Sequence, residues 1–295
     1  MIHAIAPAKV NWTLEVLGRR KDGYHEVRTI LQTIELHDEL TFEPADQVSL
    51  EVTGPHTPDD EDLILQAARL RRERDRDSTG VTIKLDKRVP LAAGLGGGSS
   101  DAAATLRVLN QMWNARLGQF GLARVAGRLG SDVPFFLTGG TALGGGRGEV
   151  IRALADAPMA WLVLLVPAIQ LPDKTRRMYG ELQPGDFTDG SKTTALVDHI
   201  NAGGHVEPRQ LYNAFDRAAY EVFEGLSQYR DFLLEAGASS VHVAGAGPTL
   251  FALASGEPEA LAIRQRMNRA RHGERVHVVR TVTAAEATLT WTSEP

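Results

Sequence analysis

The 295-residue sequence contains no cysteine. This absence excludes disulfide bridges, thiolate metal sites and cysteine nucleophiles, and it suits a reducing compartment. A basic excess is also missing, because 32 Lys and Arg residues face 37 Asp and Glu residues and the net charge is −5. A general nucleic-acid-binding function is therefore not expected. Hydrophobic residues make up 43% and charged residues 23%, as in globular proteins with one large domain or two ordinary ones.

Long hydrophobic runs are missing as well. The most apolar segment, residues 159–171, is interrupted by Pro167, whereas a helix that spans a bilayer needs about 20 apolar residues. The N-terminal residues lack the basic region and the apolar core of a signal peptide. We therefore expect a cytoplasmic protein without membrane contacts, and we predict a buried strand within residues 159–171.

Hydrophobic periodicity predicts a mixture of strands and helices in the first half of the chain. The predicted strands cover residues 4–18, 40–44 and 81–89, and the predicted helices cover residues 63–76 and the segment from the glycine run to Gly118. We expect the mixed charges of the first helix to form a solvated face. Residues 120–140 are predicted to form a helix that stops near Gly130 and then a strand, before a glycine-rich turn between strands at residues 141–150.

The pattern changes near residue 152. The predicted elements after it are a strand at 161–167, a short helix at 175–182, a polar loop at 183–192, a long helix at 209–236, two strands within 240–254, a helix at 258–270 and a strand at 275–282. This order is typical of an α+β domain with an antiparallel sheet. We therefore predict two domains, residues 1–152 and 153–295.

A glycine-rich segment lies between a predicted strand and a predicted helix. It reads PLAAGLGGGSSDAA over residues 90–103, with four glycines at positions 94, 96, 97 and 98. Glycines let backbone N–H groups approach phosphate oxygens, and a helix N-terminus adds partial positive charge. Ser99 or Ser100 can cap the helix, and a hydroxyl there can reach a phosphate or its Mg²⁺. The alternative is a plain flexible connector, which would not need so many glycines.

The common phosphate-binding patterns do not fit this segment. A Walker A loop requires a lysine after its last glycine, and none is present. A dinucleotide-binding fingerprint requires an acidic residue about 20 positions later, and no Asp or Glu lies between Asp101 and Asp132. The glycine loop of protein kinases requires a valine shortly after its last glycine and a hairpin rather than a helix. The segment is therefore predicted to be a nucleotide phosphate loop of another kind.

Three motifs resemble the GHMP small-molecule kinases. Residues 90–110 are similar to the central motif of that family, and residues 6–40 and 129–149 are similar to the first and third motifs of one branch. Members of that branch phosphorylate a cytidylated sugar alcohol of the non-mevalonate isoprenoid pathway. The resemblance implies a two-domain α+β architecture, with an N-terminal ribosomal-S5-domain-2-like domain and a C-terminal ferredoxin-like domain. It also implies ATP and the cytidylated alcohol as small-molecule substrates, Mg²⁺ with the ATP, and a monomer or homodimer.

The resemblance assigns a catalytic pair to Lys9 and Asp132. A carboxylate near the acceptor hydroxyl can take its proton, and a lysine can keep the carboxylate ionised. The residues give weaker support of their own, because Lys9 lies in an otherwise apolar strand and Asp132 precedes an apolar run. A charge in such a place requires a partner. The alternative is that Asp132 only caps or turns the chain and that Lys9 reaches solvent.

The resemblance also assigns the residues that bind each substrate. Tyr24 and His25, after an Asp-Gly turn, would hold the cytosine, since aromatic rings stack on flat bases. Thr175 and Tyr179, four residues apart on one helix face, would contact the same base, although Tyr179 could be an ordinary core residue. Asn11 would bind the hydroxyls of the sugar alcohol. The residues assigned to ATP are Pro90, Leu91, Ala92, Ala93, Gly94, Leu95, Gly96, Gly97, Gly98, Ser99 and Ser100 of the loop, Lys87 beside the base, and Asp62.

Two motifs depart from the family pattern, at three positions. The C-terminal glycine motif, usually S-G-S-G-P-T, here reads AGAGPT, so that Ala244 and Ala246 offer no hydroxyl to a phosphate. Asp62 stands where an asparagine is usual, and a carboxylate cannot donate to adenine unless it is protonated. Two further functions therefore stay open: a kinase of the same fold for another alcohol, such as mevalonate or homoserine, and a nucleotide-binding protein without activity.

Overall fold

The computed structural model describes residues 1–55, 62–73, 79–113, 117–169, 171–269 and 275–293. Within these ranges, no helix has both the length and the apolar composition needed to cross a membrane. The strands are β1 (Ile2–Arg19), β2 (His25–Ala45), β3 (Val48–Thr53), β4 (Gly80–Asp86), β5 (Thr141–Gly145), β6 (Val150–Ala153), β7 (Trp161–Leu165), β8 (Tyr212–Asn213), β9 (His242–Val243), β10 (Leu250–Ala254), β11 (Val276–Arg280) and β12 (Thr290–Thr292). The helices are α1 (Leu63–Arg72), α2 (Gly97–Met112), α3 (Gln119–Leu129), α4 (Val133–Thr138), α5 (Lys174–Gly180), α6 (Ser191–Asn201), α7 (Asp216–Val222), α8 (Leu226–Glu235), α9 (Glu257–Arg269) and α10 (Ala284–Ala287), with 3-10 turns at Pro184–Asp186 and Pro208–Gln210.

The strands of the described residues form two sheets. The first has the order β12-β1-β2-β4-β3, and β5, β6 and β8 extend it through β2, β5 and β1. The second has the order β11-β7-β10-β9, and all its pairings are antiparallel. The α+β class and the antiparallel second sheet are as predicted. The division at residue 152 stays a proposal, and β8 and β12 carry the second half of the chain onto the first sheet.

Strand β1 lies between β12 and β2 in the first sheet and is buried over most of its length. It pairs with β2 in antiparallel register, with irregularities between Pro7 and Lys9 and between Asn11 and Thr13. Such irregularities in a ladder re-aim side chains, and they are common beside functional sites. They lie at the part of β1 that carries the predicted lysine.

Helix α2 packs across β1 and begins directly after the glycine run. Its buried face is built from small residues, Ala102, Ala103 and Ala104, together with Leu106 and Leu109. Small side chains allow the helix backbone to approach the strand closely. The N-terminus of α2 is therefore held at the end of a rigid, buried element.

The second sheet is covered by α8 and α9 on one face. The core there includes Val163 and Leu165 of β7, Leu233 of α8 and Ile263 of α9. Strand β7 corresponds to the buried strand predicted within residues 159–171. Of that segment, residue 170 lies outside the described residues.

Two predicted elements were wrong. The segment after Gly130 forms helix α4 rather than a strand, because Pro134 lies in its first turn, where the fixed φ of proline suits a helix. The long helix predicted at 209–236 is a 3-10 turn, β8, α7 and α8. Gly225, with φ 78°, separates α7 from α8, and the Asn213 side chain accepts a hydrogen bond from the Phe215 amide where α7 begins.

The predicted solvated face of α1 was wrong at one position. Arg71 is fully buried, donates to Asn110 Oδ1 at 3.2 Å and lies over the Trp113 ring. The flat face of a guanidinium can pack on an aromatic ring, so an arginine can be buried. Hydrophobic periodicity treats every arginine as a polar residue and therefore does not predict this burial. The predicted ends of this helix, residues 74–76, and of the helix at 258–270, residue 270, lie outside the described residues.

Candidate active site

Two cavities lie side by side and share one wall. The first, here called the loop cavity, has a volume of about 350 Å³ and is lined by that segment and by Lys9, Asn11 and Lys87. The second, here called the aromatic cavity, has a volume of about 670 Å³ and is lined by Tyr24 and His25. Both cavities share four residues, which are Asp132, Arg147, Thr175 and Tyr179. Two ligands bound in them would therefore meet at this shared wall.

Most of the predicted site residues line one of these cavities. The loop cavity contains Lys9, Asn11, Lys87, Pro90, Leu91, Ala92, Ala93, Gly94, Gly96, Gly97, Gly98, Ser99, Asp132, Thr175 and Tyr179. The aromatic cavity contains Tyr24, His25, Asp132, Thr175 and Tyr179. Three predicted residues, Asp62, Leu95 and Ser100, line neither.

Lys9 is held by a backbone contact with the glycine-rich segment and by a side-chain contact within β1. Its amide donates to the Leu95 carbonyl at 2.9 Å, and its Nζ donates to Asn11 Oδ1 at 2.8 Å. The Asn11 amide in turn donates to Thr29 Oγ1 at 2.8 Å, which fixes the Asn11 oxygen toward the lysine. Burial lowers the pKa of Lys9, although the charge of Asp132 partly opposes this effect. Lys9 does not reach solvent, because its side chain is only 5% exposed.

Asp132 lies immediately before α4 and faces Lys9. Its Oδ2 is 3.8 Å from Lys9 Nζ, and its side chain is 40% exposed. The carboxylate makes no capping hydrogen bond to α4, so a purely local role as a helix cap does not account for it. Asp132 therefore offers an accessible carboxylate beside a buried ammonium, at the wall between the two cavities.

The glycine-rich segment bends sharply and packs too closely for side chains. Gly94 and Gly96 have φ values of 87° and 75°, and a Cβ on Gly94 would lie 2.3 Å from the Ala244 carbonyl oxygen. Helix α2 begins at Gly97, so its first amides face the loop cavity without side chains in the way. Backbone N–H groups at a helix N-terminus form a ready anion site.

The prediction that Ser99 or Ser100 caps α2 was wrong. The residue before the helix is Gly96, in the left-handed conformation, and both serines lie in the first turn. Ser99 lines the loop cavity, whereas Ser100 is fully buried and its hydroxyl has no hydrogen-bond partner. Of the two hydroxyls, only that of Ser99 can meet a ligand in this cavity.

A second glycine turn faces the first one. Gly245 and Gly247 have φ values of 55° and 72°, and Asn213 Nδ2 donates to the Gly245 carbonyl at 2.8 Å. The Thr249 amide donates to the Ala93 carbonyl at 3.2 Å, so the two turns touch through their backbones. Gly245 and Ala246 both line the loop cavity.

Stacked rings form the wall of the aromatic cavity. The His25 and Tyr179 rings are parallel at 4.7 Å, and Tyr179 packs edge-on against Phe215 at 4.9 Å. Burial, and then the charge of Arg19, lowers the pKa of His25, so its ring is neutral near pH 7. Burial raises the pKa of Tyr179 to about 12. Tyr179 thus packs against the core and also faces both cavities, so the two alternatives for it are not exclusive.

Tyr24 presents an open ring at the mouth of the aromatic cavity. It is 54% exposed and lies in the turn between β1 and β2. The Arg147 guanidinium lies 4.5 Å from its ring centroid. One face of this amphipathic ring is therefore occupied by a cation, and the ring is held without being buried.

Lys87 lines the loop cavity, and two carboxylates hold its ammonium group. Its Nζ lies 2.6 Å from Asp38 Oδ2 and 2.6 Å from Asp101 Oδ2, and all three side chains are buried. Burial alone would lower the pKa of Lys87, but the two carboxylates outweigh it and raise that pKa. Burial raises the pKa of Asp101 well above its ordinary value; the charge of Lys87 opposes this effect, and the neighbouring carboxylate of Asp38 adds to it. Asp62 is likewise engaged, since its carboxylate accepts from the Ile64 amide at 2.8 Å and caps α1.

Sequence reasoning missed Lys174, Arg147 and Thr29 as cavity residues. Lys174 directly precedes the predicted Thr175, and Arg147 lies in the glycine-rich turn of the third motif. Both cations were therefore next to recognised residues, but neither belongs to a pattern with a known chemical role. Among the described residues, no group of three or more acidic, His or Cys side chains forms a metal site.

Comparison with known families matches both halves of the chain. The model for the GHMP kinases N-terminal domain matches residues 62–140, and the model for the GHMP kinases C-terminal domain matches residues 199–272. The two segments lie on either side of the proposed boundary at residue 152. The two-domain architecture predicted from the sequence is confirmed.

Curated relatives cover nearly the whole chain. A 4-diphosphocytidyl-2-C-methyl-D-erythritol kinase of Dehalococcoides mccartyi is 46% identical over 86% of this chain and 89% of its own length. The enzyme of that name from Pelotomaculum thermopropionicum is 41% identical over 95% of this chain and 98% of its own length.

Two solved kinase structures superpose on nearly the whole chain. A 4-(cytidine 5'-diphospho)-2C-methyl-D-erythritol kinase superposes with a TM-score of 0.79 at 34% identity, over 95% of this chain and 98% of the other. A homoserine kinase from Cytophaga hutchinsonii superposes with a TM-score of 0.70 at 18% identity, over 98% and 97%. The second match shows the fold alone.

Proposed function

The chain belongs to the 4-diphosphocytidyl-2-C-methyl-D-erythritol kinases, a branch of the GHMP kinases, and we propose that it transfers the terminal phosphoryl group of ATP to the 2-hydroxyl of that cytidylated alcohol. It is a small-molecule kinase with an alcohol acceptor. The observation that carries the proposal for the site is the position of Asp132, which lines both cavities and lies 3.8 Å from Lys9 Nζ.

The nucleotide is assigned to the loop cavity. Phosphate oxygens carry negative charge, and the first amides of α2 with the glycines before them supply donors without steric obstruction. Ser99 adds a hydroxyl at the same place. Bound Mg²⁺ would neutralise charge on the phosphates, and Ser99 and Asp132, which both line the loop cavity, carry oxygens that could hold such an ion.

The cytidylated alcohol is assigned to the aromatic cavity. Its base can stack on Tyr24 and on the wall of His25 and Tyr179, and its sugar-alcohol end then extends toward Asp132 and Asn11. An acceptor without a base, such as homoserine or mevalonate, would leave these rings without a partner. This cavity is the feature that favours a cytidylated acceptor over the other alcohols.

The chemistry assigned to the pair follows from its position. Asp132 can accept the proton of the acceptor hydroxyl, since an exposed carboxylate lies where the two substrates meet. Lys9 stabilises the negative charge that develops on the acceptor oxygen and on the transferred group. Burial disfavours the charged form of Lys9, and both Asp132 and a bound phosphate would favour it.

The test is a coupled ADP-release assay with 4-diphosphocytidyl-2-C-methyl-D-erythritol. Loss of a positioned base should reduce kcat of Asp132→Asn by roughly 10²–10⁴-fold with nucleotide affinity retained. The matched control is Asp189→Asn, which removes the same charge from an exposed carboxylate whose hydrogen bond with the Ser191 amide an asparagine can keep. Asp189 lies outside both cavities.

Three other outcomes would contradict the proposal. A wild-type protein that binds ATP but releases no ADP with millimolar acceptor would be a nucleotide-binding protein without this activity. Comparable turnover of homoserine or mevalonate would contradict the assignment of the aromatic cavity. An Asp132→Asn variant as fast as wild type would leave the kinase activity standing and remove the role of the carboxylate as a base.

A further inference from the structure

The Lys174 side chain connects the two glycine turns. From the N-terminus of α5, its Nζ donates to the Ala92 carbonyl at 2.8 Å and to the Gly247 carbonyl at 2.6 Å. Ala92 belongs to the glycine-rich segment before α2, and Gly247 belongs to the turn that carries Gly245. No motif recognised in the sequence includes this lysine, and the mechanism above does not use it.

Backbone strain is concentrated on both sides of this contact. Among the described residues, the non-glycine positions with left-handed φ are Ala92 and Asp173, each at 52°. Ala92 supplies one of the carbonyls that Lys174 binds, and Asp173 directly precedes Lys174. A left-handed conformation is unfavourable for an ordinary residue, although an aspartate tolerates it better. Strain of this kind persists where the surrounding structure fixes it, and it is typical of ligand-binding sites.

The charges around Lys174 do not balance. The titratable groups that act on it from the neighbouring elements are Lys9 of β1 and Asp132 before α4. Tyr179, on the same helix, also lines the loop cavity. Lys9, Arg147 and Lys174 therefore face the single carboxylate of Asp132 in the lining of the cavity assigned to the nucleotide, where Lys87 is already paired with Asp38 and Asp101. Burial first, and then the charge of Lys9, lowers the pKa of Lys174 to about 8.

The carbonyl partners leave this ammonium group able to bind an anion. A lysine has three N–H donors, and the contacts with Ala92 and Gly247 use two of them. Carbonyl oxygens orient an ammonium group without neutralising its charge. We propose that Lys174 is a phosphate-binding residue, which holds the nucleotide phosphates at the junction of the two glycine turns. This proposal rests on the proposed function, because it assigns the loop cavity to a nucleotide.

The first test compares nucleotide affinities of Lys174→Met and wild type. Loss of one hydrogen bond between a cation and a phosphate should raise the Kd for ADP by about 10- to 100-fold. The Kd for adenosine, which has no phosphate, should change by less than about threefold. The matched control is Lys84→Met, which removes the same charge from an exposed position on β4 paired with Glu43 and should leave both affinities unchanged.

A purely structural lysine would behave differently in this test. It would lower the melting temperature of Lys174→Met and weaken ADP and adenosine by the same factor, and that result would overturn the proposal. Equal ADP affinity in the variant and the wild type would overturn it too.

A second measurement uses only the wild-type protein, in case Lys174→Met fails to fold. A lysine with a pKa of about 8 is about half neutral at pH 8, and a bound phosphate favours its charged form. Titration calorimetry with ADP at pH 8, in two buffers of different ionisation enthalpy, should therefore show uptake of about half a proton. Where Lys174→Met does fold, it should lose this uptake while Lys84→Met keeps it, which assigns the proton to Lys174 rather than to Lys9.

The absence of proton uptake in the wild type would overturn the proposal. None of these measurements needs the alcohol acceptor. A wild-type protein that takes up the proton with ADP but does not phosphorylate the cytidylated alcohol would support the role of Lys174 and contradict the proposed acceptor. A wild-type protein that phosphorylates the cytidylated alcohol but takes up no proton with ADP would contradict the role of Lys174 and support the proposed acceptor.

Discussion

Substitution of Gly245 by alanine should disturb the catalytic pair through one methyl group. A Cβ on Gly245 would lie 2.9 Å from Lys9 Nζ and 3.0 Å from the Gly94 carbonyl oxygen, where ordinary contacts begin at 3.4 Å. The Gly94 carbonyl is backbone, so the lysine must give way by about half an ångström or more. Displacement of a reacting group by about 1 Å can reduce turnover 10²-fold. We expect kcat of Gly245→Ala to fall by about 10- to 100-fold.

The same substitution also strains the backbone, and a control must separate the two effects. Gly245 has a φ of 55°, and alanine in this region costs roughly 1–2 kcal/mol. Gly203 has a φ of 78°, but its Cβ would meet no atom within 4 Å. Gly203→Ala should therefore lose a similar amount of stability in thermal unfolding, by a few °C, while its kcat stays within about twofold of wild type.

The assay for both variants is steady-state ADP release, with melting temperatures measured in parallel. Equal kcat values for Gly245→Ala and Gly203→Ala would refute the reasoning, because they would show that the position of Lys9 Nζ does not limit turnover. Restored turnover in Gly245→Ala at lower temperature would attribute the loss to unfolding instead.

Two further predictions concern stability and the acceptor. Burial raises the pKa of Asp216 from 3.8 to about 7, so the folded state keeps a proton that the unfolded state releases, and wild-type stability should fall between about pH 4 and pH 7. Asp216→Asn can keep the hydrogen bond from the Val243 amide. In urea unfolding it should be more stable than wild type, by at most about 4 kcal/mol at pH 8 and by less at pH 5. Equal stability of the two proteins at pH 8 would contradict the raised pKa of Asp216. Tyr24→Leu removes an exposed ring and should raise the KM for the cytidylated substrate about tenfold, with the melting temperature and the KM for ATP unchanged; an unchanged substrate KM would exclude stacking on this ring.

Local patterns were sufficient to predict the parts of the site that lie in continuous motifs. The glycines between β4 and α2 were interpretable because positive φ and close packing both require them, and Gly94 and Gly96 meet both conditions. Alternation along β1 places Lys9 and Asn11 on one face, as a strand requires. The roles assigned to these residues came from the resemblance to the GHMP kinases, because side-chain types and spacing alone left alternatives open.

Other features could not be predicted because they depend on distant residues. The first five residues of helix α4 are all apolar, and periodicity cannot distinguish a short buried helix from a strand. The Lys87 cluster combines Asp38 of β2 with Asp101 of α2, which are 49 and 14 positions away. The contacts of Lys174 span 82 and 73 positions. Each of these depends on the tertiary packing of separate elements, for which the local sequence contains no signal.

The position of the Lys9 side chain depends on β1 and on both glycine turns. The backbone of Lys9 is fixed by its hydrogen bond with Leu95. Its side chain packs against both glycine turns, because a Cβ added at Gly96 would lie 3.2 Å from the lysine Cγ and a Cβ added at Gly245 would lie 2.9 Å from its Nζ. A buried lysine loses side-chain entropy and solvation, and neither loss is recovered unless the ammonium group has a fixed partner. Asn11 supplies that partner within the strand, and Asp132 supplies a second one across the cavity. The glycines therefore serve two purposes at once, because they open the backbone to an anion and leave just enough room for the lysine that faces it.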